Sequence, residues 1–184
     1  MRAIFHLHDP STDFLKTIYE SLPDTIVVNG DITRSLTREI INEASQVIML
    51  GHGSPGGLFG RKGMLIDEST VECLKCHSNS IFIWCHASEF VYKHQLKGFA
   101  TGMFISEDSE AHFCLKEGYG ERGDEHSVTE SNSLFALTVR EALDEDLSIK
   151  DLSNYVKRWY APDRTIHKNK NVLNYNAKLL TLIQ

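Results

Sequence analysis

One thiol and one imidazole occupy matched places in this chain. Cys85 directly follows Ile81-Phe82-Ile83-Trp84, and His52 follows Val47-Ile48-Met49-Leu50-Gly51. A thiol is mostly protonated at neutral pH, so an imidazole must take its proton before sulfur attacks a carbonyl. The same imidazole can later protonate a leaving amine. The chemistry these two residues suggest is thiol-based acyl transfer. Gly53, next to His52, lets a backbone N–H turn toward a substrate with no Cβ in the way. With the N–H of Cys85 it makes a candidate oxyanion hole, a device whose loss of one donor costs about 10²–10³ in rate in known enzymes. Taken alone, a cysteine closing a buried strand reads as inert core, and His-Gly is a common dipeptide. The conjunction carries the reading.

Positioning such a pair requires neighbouring strands. Hydrophobic patterning predicts strands at Arg2–Leu7, Thr25–Asn29, Gln46–Leu50, Ser80–Trp84 and Gly98–Ile105. Between them it predicts a helix over Ser11–Ser21 capped by Ser11, and one from Asp31 or Thr33 to Ala44 with Leu36, Ile40 and Ile41 inward. Further helices are expected over Glu68–His77 and Ser88–Gln95. Six glycines and Pro55 between Gly51 and Gly63 make a loop with a small hairpin over Leu58–Leu65. A polar stretch, Ser106–Ser127, precedes helices near Thr129–Leu143, Ser148–Tyr160 and Asn169–Leu182. A short sixth strand is expected in Ala111–Leu115. Strands alternating with helices give a three-layer α/β/α sandwich around a mostly parallel five- or six-stranded sheet. One domain is expected over residues 1–184, with its core in about 1–143 and C-terminal helices in about 144–184. In an open parallel sheet, ligands bind beyond the carboxyl ends of the strands. The tips of the third and fourth strands, roughly 5 Å apart if adjacent, then bring His52 and Cys85 into range.

Composition limits the partners. The 184 residues carry 19 Lys/Arg against 25 Asp/Glu, a formal charge of −6, with 41% hydrophobic and 24% charged residues. These are ordinary globular values, and without a basic stripe the expectation is neither nucleic acid nor an anionic membrane as partner. No apolar run approaches the ~20 residues of a membrane span, and the N-terminal residues do not read as a signal peptide. Four cysteines without an export signal point to a reducing compartment and a cytoplasmic location.

Other motifs are weaker. Cys73-Leu74-Lys75-Cys76-His77 matches a haem-attachment string and half of a zinc site with His86 or Cys114, but reads better as a helix with both thiols packed inward. No metal or cofactor is expected. His6 and His8 alternate on the first strand, and His8 or Asp9 is a candidate for orienting His52, although a solvated strand end is the plainer reading. The glycine-rich loop lacks Gly-Lys-Ser/Thr and is not a phosphate loop. Lys168-Asn169-Lys170-Asn171 is too short for a nucleic-acid patch, and Leu134, Phe135, Leu137 and Val139 read as core-facing.

At this point the residues carry a family resemblance. Val47-Ile48-Met49-Leu50-Gly51-His52-Gly53-Ser54 and Ile81-Phe82-Ile83-Trp84-Cys85-His86-Ala87-Ser88 resemble the caspase, gingipain, legumain and separase group of cysteine peptidases (clan CD). That group places His-Gly after the third strand and the nucleophilic Cys after the fourth. The 33-residue separation suits its bacterial and plant-like branches better than true caspases, where about 50 are expected. The resemblance, which covers about residues 1–143, implies a caspase-like fold, His52 as acid/base, Cys85 as nucleophile and the backbones of Gly53 and Cys85 as oxyanion donors. Gly102–Glu110 is similar to the specificity segment of separase-like peptidases, which implies that Glu107 and Asp108 receive an Arg or Lys side chain of a protein or peptide substrate. A solvated acidic loop is the alternative. Trp84, where the group has a small residue, and His86 depart from the pattern. They motivate a second reading, a caspase-fold module that binds protein without cutting. A third is a thiol hydrolase of small amides or thioesters. A basic cleavage preference further suggests self-cleavage within Ser106–Ser127, at Lys116 or Arg122.

Overall fold

The computed structural model of the chain describes residues 1–118, 124–160 and 171–184; Arg122 and Lys168–Lys170 lie outside them. The chain forms strand β1 (Arg2–His6), a 3₁₀ helix (Pro10–Ile18), β2 (Thr25–Val28), α1 (Arg34–Glu43) and β3 (Gln46–Leu50). The glycine-rich segment follows as β4 (Gly53–Ser54), β5 (Gly57–Gly60) and β6 (Gly63–Ile66). Then come α2 (Val71–Leu74), β7 (Ser80–Ile83), α3 (Ala87–Lys93), β8 (Gly98–Thr101), α4 (Phe113–Lys116), α5 (Glu125–Asp144), α6 (Ile149–Tyr160), α7 (Asn171–Lys178) and β9 (Leu180–Ile183).

Six strands make one sheet in the order β2-β1-β3-β7-β8-β9, parallel except for β9. Its central strands are buried on both faces, which is why they read as unbroken apolar runs. Side-chain alternation then sorts them. Ala3, Phe5, Val47, Met49, Phe82 and Trp84 face α1, α2 and α3, meeting Ile41, Leu74 and Phe90. Ile4, Ile48, Leu50, Ile81 and Ile83 face the other way, onto the 3₁₀ helix and onto Phe135, Val139 and Val156 of α5 and α6. Helices thus cover both faces of a mostly parallel sheet. The expected hairpin forms, and β4 extends it to a small antiparallel sheet. Among the described residues, no helix is long and apolar enough to cross a membrane.

Several local expectations are corrected. The first helix is 3₁₀ and is capped by Asp9, not Ser11: the Asp9 carboxylate accepts the Ser11 N–H at 3.0 Å. Its buried residues Thr12, Leu15 and Ile18 recur every third position, the 3₁₀ period. On α1, Thr37 and Ile41 are buried while Leu36 is exposed, and on α5 Leu137 is exposed. Ala111–Leu115 is not a strand. Ala111 and Cys114 are buried three apart, a helical spacing, and pack on Ile105 and Val128. The sixth strand is β9 instead, so the C-terminal segment does not end as helix. After α7 the chain turns at Leu179, whose carbonyl accepts the Gly102 N–H at 3.0 Å, and runs antiparallel along β8. Cys73 is half-buried, but Cys76 is exposed rather than inward.

Candidate active site

Strand order places the site. The chain leaves β1 toward β2 on one side and resumes at β3 on the other, so a crevice opens at the carboxyl ends between β1 and β3. His6 pairs with Leu50 and Leu50 with Ile83, which aligns three strand tips. Beyond them lie Asp9 and Ser11, then His52, then Cys85. The ladder between β3 and β7 continues past the strands through Gly51 N–H to Ile83 O at 3.0 Å. His52 and Cys85, with Gly51, Thr12, Phe14, Leu15, Phe104 and Ser106 around them, line one cavity of about 20 Å³, space for roughly one water.

The imidazole is held from the β1 side. His52 Nε2 lies 2.6 Å from Ser11 Oγ, and Ser11 Oγ lies 2.6 Å from Asp9 Oδ1. Asp9 Oδ1 is itself 3.6 Å from Nε2. The Ser11 hydroxyl and then its N–H hold the Asp9 carboxyl below its usual range. Asp9 therefore reaches His52 through Ser11. His8 does not: it pairs with Asp13. His6 is buried, bonding Tyr19 Oη at 3.0 Å and Thr12 Oγ1 at 3.3 Å, and burial pushes it down to about 4. In the sequence alone, Ser11 reads as a cap. The string Asp9-Pro10-Ser11 carried the missed signal, since Asp before Pro at the first helical position marks the true cap.

Cys85 is half-buried, and its Sγ–H donates to Phe104 O at 3.6 Å. Burial pushes its thiol up to about 11, and the charges of Glu110 and Glu107 add to the rise. Glu107 caps the 3₁₀ turn Asp108–Glu110, while Glu110 Oε2 accepts the N–H groups of Ser106 and Glu107 at 2.9 and 3.3 Å. Of the two acids expected to bind substrate, Glu107 thus stands within electrostatic reach of the sulfur, and Asp108 is exposed on the turn.

Gly53 is a steric necessity here. A Cβ on it would lie 2.2 Å from Trp84 Cδ1 and 2.6 Å from Gly57 O. The Trp84 ring, buried against Phe82 and Phe90, donates its N–H to Ser54 O at 3.0 Å. The large residue before the thiol therefore pins the strand that follows His52. His86, the residue just before α3, has φ +66°, and its Nδ1 lies 2.6 Å from Glu89 Oε1. It borders a second cavity of about 390 Å³, with Met103, Phe113, Glu117, Lys178 and Leu179.

All four cysteines are free thiols. Among the described residues, no three His, Cys, Asp or Glu side chains gather closely enough to hold a metal ion. Compared with protein-family models, curated proteins and solved structures, the chain matches none. The site stands on its geometry.

Proposed function

We propose that this chain is a cysteine peptidase of the caspase, gingipain, legumain and separase type, with His52 and Cys85 as its dyad. The observation that carries the reading is that the two side chains, from adjacent parallel strands, line the same cavity at the sheet's carboxyl end. The six-stranded sheet with both faces covered supports a caspase-like fold. Four free thiols suit a reducing compartment such as the cytoplasm.

The raised thiol sets the order of events. Cys85 rests as a thiol, so its proton passes to His52 as sulfur attacks the peptide carbonyl. The backbone N–H groups of Gly53 and Cys85 receive the oxyanion. His52 then returns the proton to the departing amine, and water, activated by the same ring, releases the acyl group. Glu107 and Glu110, close to the sulfur, favour substrates with Arg or Lys before the cut bond, because a charge-assisted contact is lost with any neutral side chain. Lys116, the last residue of α4, is exposed and is the remaining self-cleavage candidate within the described residues.

The test is cleavage of an Arg/Lys peptide library. Cys85→Ala should abolish turnover with the fold intact; unchanged turnover would end the reading. A second reading, a binding module of the same fold that does not cut, draws on the high thiol pKa and the one-water cavity. It predicts peptide binding without hydrolysis. Turnover of small amides or thioesters alone would point instead to a small-molecule thiol hydrolase.

A further inference from the structure

We propose that Asp9 and Ser11 form a proton-ordering relay that fixes His52 with its hydrogen on Nε2, leaving Nδ1 as the ring's one basic nitrogen. Its catalytic consequence rests on the peptidase reading, whereas its geometry rests on counting hydrogens. Three atoms form a bent chain: Asp9 Oδ1, Ser11 Oγ and His52 Nε2, with both bonded separations 2.6 Å and the two ends 3.6 Å apart. An ionised carboxylate only accepts, so the hydrogen between Oδ1 and Oγ is the serine's own. Ser11 Oγ then has only lone pairs to offer, and Nε2 must donate. The opposite arrangement would set two oxygens 2.6 Å apart with no proton between them, one of them charged.

The count excludes one role and defines another. Ser11 is not a nucleophile, because Nε2 already carries a proton and cannot accept the serine's. Toward Cys85 the arrangement works. As the Sγ–C bond forms, Nδ1 takes the thiol proton and the ring becomes imidazolium. Its Nε2–H then points through Ser11 at the Asp9 carboxylate, whose negative charge favours that cation. When the C–N bond breaks, the Nδ1 proton goes to the amine and the ring returns to its starting form. Asp9 and Ser11 are positioning residues, acting through His52. The local sequence builds them cheaply: one carboxylate oxygen caps the 3₁₀ helix and orders the hydroxyl of the residue two further on.

The experiment is long-range ¹⁵N–¹H NMR of the histidine rings in the full chain at about pH 8, above the ordinary imidazole range. Wild type, Ser11→Ala, Ser11→Thr and Asp9→Asn are compared, alongside peptide turnover. Wild type should show the Nε2–H ring, Ser11→Ala a mixture, and Ser11→Thr the restored form. Asp9→Asn keeps an oxygen for the cap while losing the charge, so it reports even if Ser11→Ala does not fold, and it too should relax the preference. Both disruptive variants should lower kcat by about 10²-fold, the scale of a misplaced catalytic group, with KM changed less. An Nδ1–H ring in wild type, or ring forms indifferent to all three variants, overturns the relay. A Ser11-dependent Nε2–H ring in a wild type that cuts no peptide upholds the relay and removes the peptidase reading, so the two failures are told apart.

Discussion

Cys85 and Gly53 show how far single residues set this site. The half-buried thiol, raised to about 11, is a poor nucleophile until a base reaches it. Alkylation by iodoacetamide should therefore be slow at neutral pH and climb about tenfold per pH unit toward that value. Glu107→Gln removes a negative charge near the sulfur, lowers the thiol pKa and should speed alkylation at any given pH below it. An unchanged rate would place Glu107 outside the site's field. Gly53→Ala forces a methyl into Trp84 and the Gly57 carbonyl. Its expected cost is about 1–3 kcal/mol, the range for overpacking, read as a lower denaturant midpoint. Cys85, His52 and Gly53 were legible in the sequence because each sits where an apolar run stops. Ser11 was not, because a hydroxyl near a helix start looks like a cap until β1 and β3 are known to be neighbours.

Among the elements, the 3₁₀ helix is the one that carries the relay, and a buried histidine anchors it. His6, on β1, bonds Thr12 within that helix and Tyr19 just beyond it. Its folded pKa of about 4 lies below the ordinary imidazole value. The unfolded chain takes up this proton first, so the neutral form's contribution is full above pH ~6.5 and fades as pH falls toward 4. That loss amounts to roughly 3 kcal/mol. Urea midpoints should fall through this window in wild type and stay flatter in His6→Gln; equal slopes would contradict the assignment. The carboxylates Asp9 and Asp124, held low by Ser11 and Ser127, lose their share only at more acid pH. The parallel strands were readable because burial on both faces leaves long apolar runs. The 3₁₀ helix was misread because Phe14, Leu15 and Ile18 also fit a 3.6 period, and β9 was missed because Leu180-Thr181-Leu182-Ile183, apolar at three of four positions, looks like a continuation of the helix before it.

Across the whole molecule, the C-terminal elements reach back to the candidate site. Asn176 of α7, fully buried, accepts the Ile105 N–H at 2.8 Å and donates to the Ile105 carbonyl at 2.9 Å. Ile105 follows Phe104, whose carbonyl meets the Cys85 thiol. Asn176→Ala should leave two buried backbone groups unpaired, at about 1–3 kcal/mol, and hydrogen exchange should quicken at the Ile105 amide. Protection equal to wild type would show that α7 does not brace this loop. No local pattern discloses a tie across 71 residues, which is why the sequence presented the last segment as an appendage rather than as part of the frame. The most direct measurement is reaction of the folded chain with a peptidyl acyloxymethyl ketone ending in arginine, mapped by mass spectrometry. The account predicts one adduct, on Cys85 alone among the four thiols, and none there in His52→Ala. A Cys85 that stays unmodified until the protein is unfolded would contradict it.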